Sequence, residues 1–364
     1  MDVATALDRL PKVELHCHVE GTMRPETMVE LARGNGVPLP TADPTELYRY
    51  SSLDTFLRVF WLVQSTLGGR EDWARLAYES VVDGAAHGLV YRETFFTPAR
   101  HLAMGQRLED IVAGLEEGLA AAERDVKAQG MLIADIDRAY GGQSGTEMVE
   151  QLVELKRGGR AERVIGVGMD STELGVDPAE FLPAYRLARG ARLRLTAHQG
   201  ENSPPSAIVF DVDELGAERI DHGISILEDP DATRRLVDGG IPVTVCPISN
   251  VKIANLFASV EDHPWPRMRE AGLHLTLNTD DPAMIGDDLG TEYATLARAH
   301  GYSFADTVEI SLAGAEATWQ DDDERRQLRE RIRDGARDLQ RALDAETTKG
   351  APEGAPFGTP PPDR

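Results

Sequence analysis

Two hydrophobic periods alternate along this chain. Short, β-prone apolar runs fall at 13–17, 90–96, 131–137, 164–170, 193–198, 219–222, 242–246 and 273–280. Their lengths suit buried strands. Stretches with helical spacing lie between them, at 53–67, 71–87, 108–127, 146–157, 178–189, 205–215, 229–237 and 264–271. Further helical patterns follow at 291–300, 304–315 and 322–343. Regular alternation of strand and helix predicts a parallel sheet, and eight such units predict a closed (β/α)8 TIM barrel rather than an open sheet. Two helical stretches between the first and second strands predict a cap near the barrel mouth, and the last patterns predict C-terminal helices. Boundary signals agree with this reading. Asp229 can cap its helix, and Gly239-Gly240 ends that helix before Ile241-Pro242 opens the next strand. Acids at 321–323 suit the positive end of the last helix. Residues 1–346 read as one domain, and 347–364, rich in Pro and Gly, as a disordered tail.

Composition narrows the classes of function. The chain has 364 residues and is 41% hydrophobic, enough for a sizeable core. It carries 38 Lys+Arg against 62 Asp+Glu, a formal net charge of −24, which argues against binding nucleic acid along a broad surface. It contains no apolar run long enough to span a membrane, and residues 1–10 do not read as a signal peptide. Two cysteines, Cys17 and Cys246, exclude a disulfide framework and point to a reducing cytoplasm. Nothing in the pattern sets an oligomeric state.

Chemistry-bearing residues gather where the strands end. The first strand reads Val13-Glu14-Leu15-His16-Cys17-His18, and alternation along an extended chain puts both imidazoles on one side. Alone, this H-x-H spacing is weak and equally suits two ordinary strand residues. The fifth strand runs into His198-Gln199-Gly200-Glu201, the sixth into Asp221-His222-Gly223, and the eighth into Asn278-Thr279-Asp280-Asp281-Pro282. Three histidines and an aspartate form a plausible donor set for a hydrolytic zinc or iron(II) site. Four such motifs in register with four strand ends are hard to ascribe to chance.

These residues carry a resemblance. Pro11 to Thr22 with Arg24-Pro25-Glu26-Thr27, then His198-x-Gly200-Glu201, Arg219-Ile220-Asp221-His222-Gly223, Cys246-Pro247-Ile248-Ser249-Asn250 and Asn278 to Pro282, resemble the signatures of the adenosine deaminase family of metal-dependent amidohydrolases. The likeness covers roughly 9–335 in the family's order. It implies a hydrolase that removes the 6-amino group of a purine. It implies that His16, His18, His198 and Asp280 hold one zinc ion; iron(II) or manganese(II) would suit the same donors. It implies that Glu201 shuttles protons, that His222 stands beside the attacking water, and that Asp281 bonds purine N7. Asp281 must be protonated to donate there, and burial beside Asp280 would raise its pKa in that direction.

The substrate is less sharply defined. Glu20 stands where the adenosine-converting branch usually has Asp, and Glu173, in Asp170-Ser171-Thr172-Glu173, stands near a glycine of that branch. Both features resemble the adenine deaminase-like branch. On this reading Glu20 reaches into the space of a ribose, and Glu173 accepts an N–H of a free base. Adenine is favoured; adenosine and a modified nucleoside such as aminodeoxyfutalosine stay open. Equally, both carboxylates could simply bond loop backbone. An amidohydrolase of different specificity would carry a similar donor set, and so would a barrel that only binds. The fourth strand ends without a Lys, which favours one metal over two. Gln199 replaces a usual Ala and is expected to point away from the metal. His87, His101, His263, His274 and His300 read as surface or structural. Cys17 should face the barrel wall, and Cys246 reads as packing. Phe56, Phe60 and Trp61 suit either a purine cover or a plain amphipathic face. Asn250 and Lys252 could be structural.

Overall fold

A computed structural model describes residues 1–349. Eight strands form: β1 (Lys12–Glu14), β2 (Leu89–Phe96), β3 (Gln129–Asp137), β4 (Val164–Asp170), β5 (Arg194–Gln199), β6 (Arg219–His222), β7 (Pro242–Val245) and β8 (His274–Leu277). Each pairs in parallel with the next in chain order. The helices between them pack outside, giving the (β/α)8 barrel. No helix among the described residues is long and apolar enough to cross a membrane.

The first and last strands are shorter than their apolar runs. β1 ends at Glu14, where the chain bends at Leu15, and β8 ends at Leu277. The seam between them closes through one isolated parallel bridge, Cys17 to Asp280. The His18 N–H donates to Asp280 O at 2.9 Å, and the Asp280 N–H donates to His16 O at 3.1 Å. Side chains complete the seam below. Asn278 Oδ1 accepts the Leu15 N–H at 2.8 Å, and Glu14 Oε1 accepts the Thr279 N–H at 3.0 Å. Glu14 also pairs with Arg92 at 2.6 Å, both buried. Deeper polar filling comes from Arg219, which pairs with Glu93 at 2.7 Å and stacks on Trp319 at 4.0 Å.

Of the two expected cap helices, only Leu53–Thr66 covers the mouth, through Phe56, Leu57, Phe60, Trp61 and Gln64. Helix Arg70–Ala86 instead packs beside Leu108–Val126. Glycines permit that approach: a Cβ on Gly114 would meet Arg70 O at 2.3 Å, and one on Gly118 would meet Ala74 O at 2.1 Å. Helices Val3–Arg9 and Pro25–Gly34 have no counterpart in the apolar pattern; an Asp2 cap and Pro25 at a helix start are their local signals. The last helix spans Asp322–Lys349, three residues into the expected tail. The rest of that tail, 350–364, lies outside the described residues.

The seam gives a first test. Asn278→Leu strands the buried Leu15 N–H, so a loss of about 1–3 kcal/mol is expected in urea denaturation, together with weaker metal binding. An unchanged midpoint and unchanged metal affinity would show that the barrel closes without this side chain.

Candidate active site

Four donor atoms converge at the C-terminal end of the barrel. Nε2 of His198 lies 3.1 Å from Nε2 of His16 and 3.1 Å from Nε2 of His18. Asp280 Oδ1 lies 3.3 Å from His16 Nε2 and 3.4 Å from His18 Nε2. Ligands about 2.0–2.2 Å from a tetrahedral ion stand about 3.3–3.6 Å from one another, close to these edges. All four side chains are buried. Burial first, then neighbouring histidines, pull His198 well below its ordinary pKa, while His18 is held at about 4 by burial above all. Both are therefore neutral at pH 7, with lone pairs available. The donor set fits a metal ion.

Supporting bonds aim the donors. His198 Nδ1–H donates to Met169 O at 3.0 Å. Thr244 Oγ1 donates to Asp221 Oδ1 at 2.6 Å and so accepts from His16 Nδ1–H at 3.0 Å. Each bond leaves Nε2 free to face the centre. Ser249 Oγ donates to Asp280 Oδ2 at 2.6 Å, which turns Oδ1 toward the histidines. Asp221 and Ser249 lie within the signature motifs of the sequence, while Thr244, in β7, carries no such signal. Cys246 comes within reach of His16, His222 and Asp280, and burial pushes its thiol pKa well up. Cys17 is buried with its Sγ toward His18 O.

The residues expected to handle protons surround this centre. Glu201 is raised above the ordinary carboxyl pKa by burial, against the pull of His222. His222 would be lowered by burial, but Glu201, Asp280 and Glu173 outweigh it and raise its pKa. Glu201 Oε1 and His222 Nδ1 lie 3.8 Å apart, and Asn250 Nδ2 lies 3.2 Å from each. Asp280 and Asp281 are neighbours with opposite behaviour. Burial would raise Asp280, but His16, His222 and His18 hold it below its ordinary pKa. Asp281 is raised well above the ordinary range, by burial first and then by Asp280, Glu20 and Asp170. Asp280 has φ of 67°, a left-handed turn between the two carboxyls. Gly21 clears room for the second: a Cβ there would lie 1.9 Å from Asp281 Oδ1.

Two expected substrate contacts are arranged differently. Glu173 borders the pocket, but its oxygens accept backbone N–H groups of Gly200 at 2.9 Å, Glu201 at 3.0 Å and Asn202 at 3.3 Å. It clamps the loop that carries Glu201 from the edge of the pocket. Glu20 is fully buried and accepts the Thr97 N–H at 3.0 Å; Thr97 borders the pocket and Glu20 does not. Burial pushes Glu20 up to about 7. Gln199 Oε1 accepts from Arg138 Nη2 at 2.9 Å, and Arg138 Nη1 donates to Asp170 O at 3.2 Å. This arginine, which the sequence pattern does not single out, ties the ends of β3, β4 and β5 together. Asp135 carries no motif signal in the sequence either. It lies 4.0 Å from His18 Nδ1, and neither of its oxygens has a hydrogen-bond partner among the described residues.

Buried imidazoles and a carboxylate at the strand ends of such a barrel define a metal-dependent hydrolase. Comparison with known proteins narrows the class. The family profile described as Adenosine deaminase matches residues 11–335. An adenine deaminase of Streptomyces coelicolor is 37% identical over 327 residues, 89% of this chain and 94% of that protein. The crystal structure of an adenine deaminase from Arthrobacter aurescens is 33% identical with a TM-score of 0.85, covering 90% of this chain and 99% of that one. An amidohydrolase from Burkholderia ambifaria, solved with bound Zn, is 31% identical with a TM-score of 0.86, covering 95% and 96%. The chain belongs to the adenosine deaminase family, and its enzymatic class is that of a purine deaminase.

Two tests follow. In metal-free protein, burial first and then Asp170, Asp221 and Glu20 raise Asp135 well above its unfolded pKa. Below pH about 4 both states hold the proton; as pH rises the unfolded state releases it first, so stability falls by up to about 1.4 kcal/mol per pH unit. Asp135→Asn removes that slope, and urea denaturation from pH 5 to 8 should find the variant gaining on the parent. A constant difference would contradict the shift. Glu173→Gln should lower kcat about tenfold with KM little changed, because it loosens the loop amides; a rise in KM alone would return Glu173 to base recognition.

Proposed function

We propose that this protein is a zinc-dependent adenine deaminase, converting adenine and water to hypoxanthine and ammonia. The observation that carries the reading is a buried centre of three imidazoles and a carboxylate, flanked by two carboxyls, Glu201 and Asp281, whose pKa values are raised. His16, His18, His198 and Asp280 would hold the zinc, a reading supported by the zinc-bearing relative. Zinc bound there would polarise water and lower its pKa toward neutrality. The chain's own residues then manage the protons. Glu201, whose pKa burial raises toward the protonated form, donates to purine N1 as the water oxygen bonds to C6. The C6–N bond breaks as Glu201, having taken one proton from the water, passes it to the departing ammonia, and the remaining C6–OH proton returns to Glu201 as the carbonyl forms. His222 stands beside the attacking water and stabilises its oxygen as it adds to C6. Asp281, its pKa raised well above the ordinary range by burial and by the acids around it, donates from its protonated form to purine N7.

Adenine is favoured over a phosphorylated substrate because the pocket is bordered by acids and aromatics and by no Lys or Arg among the described residues. The adenine deaminases among the relatives support the free base. A reducing cytoplasm is supported by two free, buried cysteines.

Zinc-loaded protein offered adenine, adenosine and aminodeoxyfutalosine is expected to turn over adenine with the highest kcat/KM, followed by purine absorbance. Silence toward every aminopurine would sink the proposal, and a preference for adenosine would reassign the substrate. Glu201→Gln should lower kcat by about 10²–10⁴ with zinc retained. A near-normal rate would remove Glu201 from its role.

A further inference from the structure

We infer that His263, acting through Asn250, fixes which ring nitrogen of His222 carries the proton, and is thereby a positioning residue for the reaction. The inference rests on the roles given above to His222 and Glu201.

The chain of bonds begins at a backbone donor. Trp265 opens helix Trp265–Glu270, so its backbone N–H lacks an acceptor within the helix. It donates to His263 Nδ1 at 3.1 Å. A ring nitrogen that accepts cannot carry a proton, so neutral His263 bears its hydrogen on Nε2. Burial pulls its pKa down to about 3, with smaller contributions from His300 and His222, so the ring is neutral. Nε2–H then donates to Asn250 Oδ1 at 3.2 Å. This bond decides the orientation of the amide, which geometry near the oxygen and nitrogen alone would leave ambiguous. With Oδ1 turned to His263, Nδ2 faces the catalytic pair, 3.2 Å from Glu201 Oε1 and 3.2 Å from His222 Nδ1. An amide nitrogen only donates. His222 Nδ1 is therefore an acceptor, and neutral His222 carries its proton on Nε2.

The consequence bears on the reaction. With hydrogen on Nε2 and Nδ1 occupied by the amide, neutral His222 is a donor to the attacking oxygen and not its base. Proton acceptance falls to Glu201, which the same amide holds. The relay is rigid. His263 is 2% exposed and Asn250 is fully buried, and Phe257 packs edge-on against the His263 ring at 5.1 Å. Asn250 sits in helix Pro247–Lys252 beside Ser249, which aims Asp280.

The test uses zinc-loaded protein with ¹⁵N-labelled histidine. Long-range proton–nitrogen correlation should find His222 with Nδ1 unprotonated and Nε2 protonated; the opposite tautomer in the parent protein would overturn the inference without any variant. His263→Leu should lower kcat for adenine about tenfold, leave KM within about threefold and zinc content unchanged, and mix the His222 tautomers. His263→Gln, which keeps a donor near Nε2, should recover most of the rate. Asn250→Leu combined with His263→Leu should lose no more than Asn250→Leu alone, because both act along one path. A His263→Leu enzyme with parental kcat, or additive losses in the pair, would refute the relay. Either result leaves purine deamination itself intact, since that reading fails only if no aminopurine is turned over.

Discussion

An eight-stranded barrel must join its first strand to its last, and here the join runs through Cys17 and Asp280. The backbone bonds on either side of that bridge belong to His16, His18 and Asp280, the residues whose side chains meet above it. Barrel closure therefore brings three of the four donors together. The site takes its precision from strand ends and buried backbone, not from mobile loops. His198 comes from β5, on the other side of the barrel, so an ion held at the centre would tie the two halves together.

The same closure concentrates acids in a dry space. Asp135, Asp170, Asp281 and Glu20 are buried, and each has its pKa raised, by burial above all. Acidic neighbours add to the rise at Asp135, Asp170 and Asp281. Asp280 escapes because three histidines outweigh its burial. One pair of adjacent residues thus supplies both a carboxylate that can bind a cation and a carboxyl that can donate a hydrogen bond. The division depends on the left-handed turn at Asp280 and on the missing side chain at Gly21.

Much of this is legible before any coordinates. Apolar runs of strand length alternating with helical stretches lead to the barrel, because strands buried on both faces need no polar alternation. The strand-end motifs lead to the donors, because a barrel carries its chemistry at one rim. The errors have physical causes too. Both seam strands read too long, because an apolar run does not reveal where a ladder gives way to side-chain acceptors such as Asn278 and Glu14. Helix Arg70–Ala86 reads as cap, because glycine-mediated packing at Gly114 and Gly118 is a property of two distant segments.

The sequence by itself determined the class of fold, and its strand-end motifs with the family resemblance singled out the candidate donors and the acids beside them. Only the tertiary structure decided what surrounds those acids. Whether Glu173 faces a base or holds a loop, whether Asp281 keeps its proton, and which nitrogen of His222 is free depend on burial and on partners far apart in the chain. Hydrogen-bond direction and desolvation belong to surroundings in three dimensions, and no local pattern encodes them. His263 is the sharpest case: in the sequence it is one more loop histidine, and in the fold its position is set by a helix start on one side and the Asn250 amide on the other.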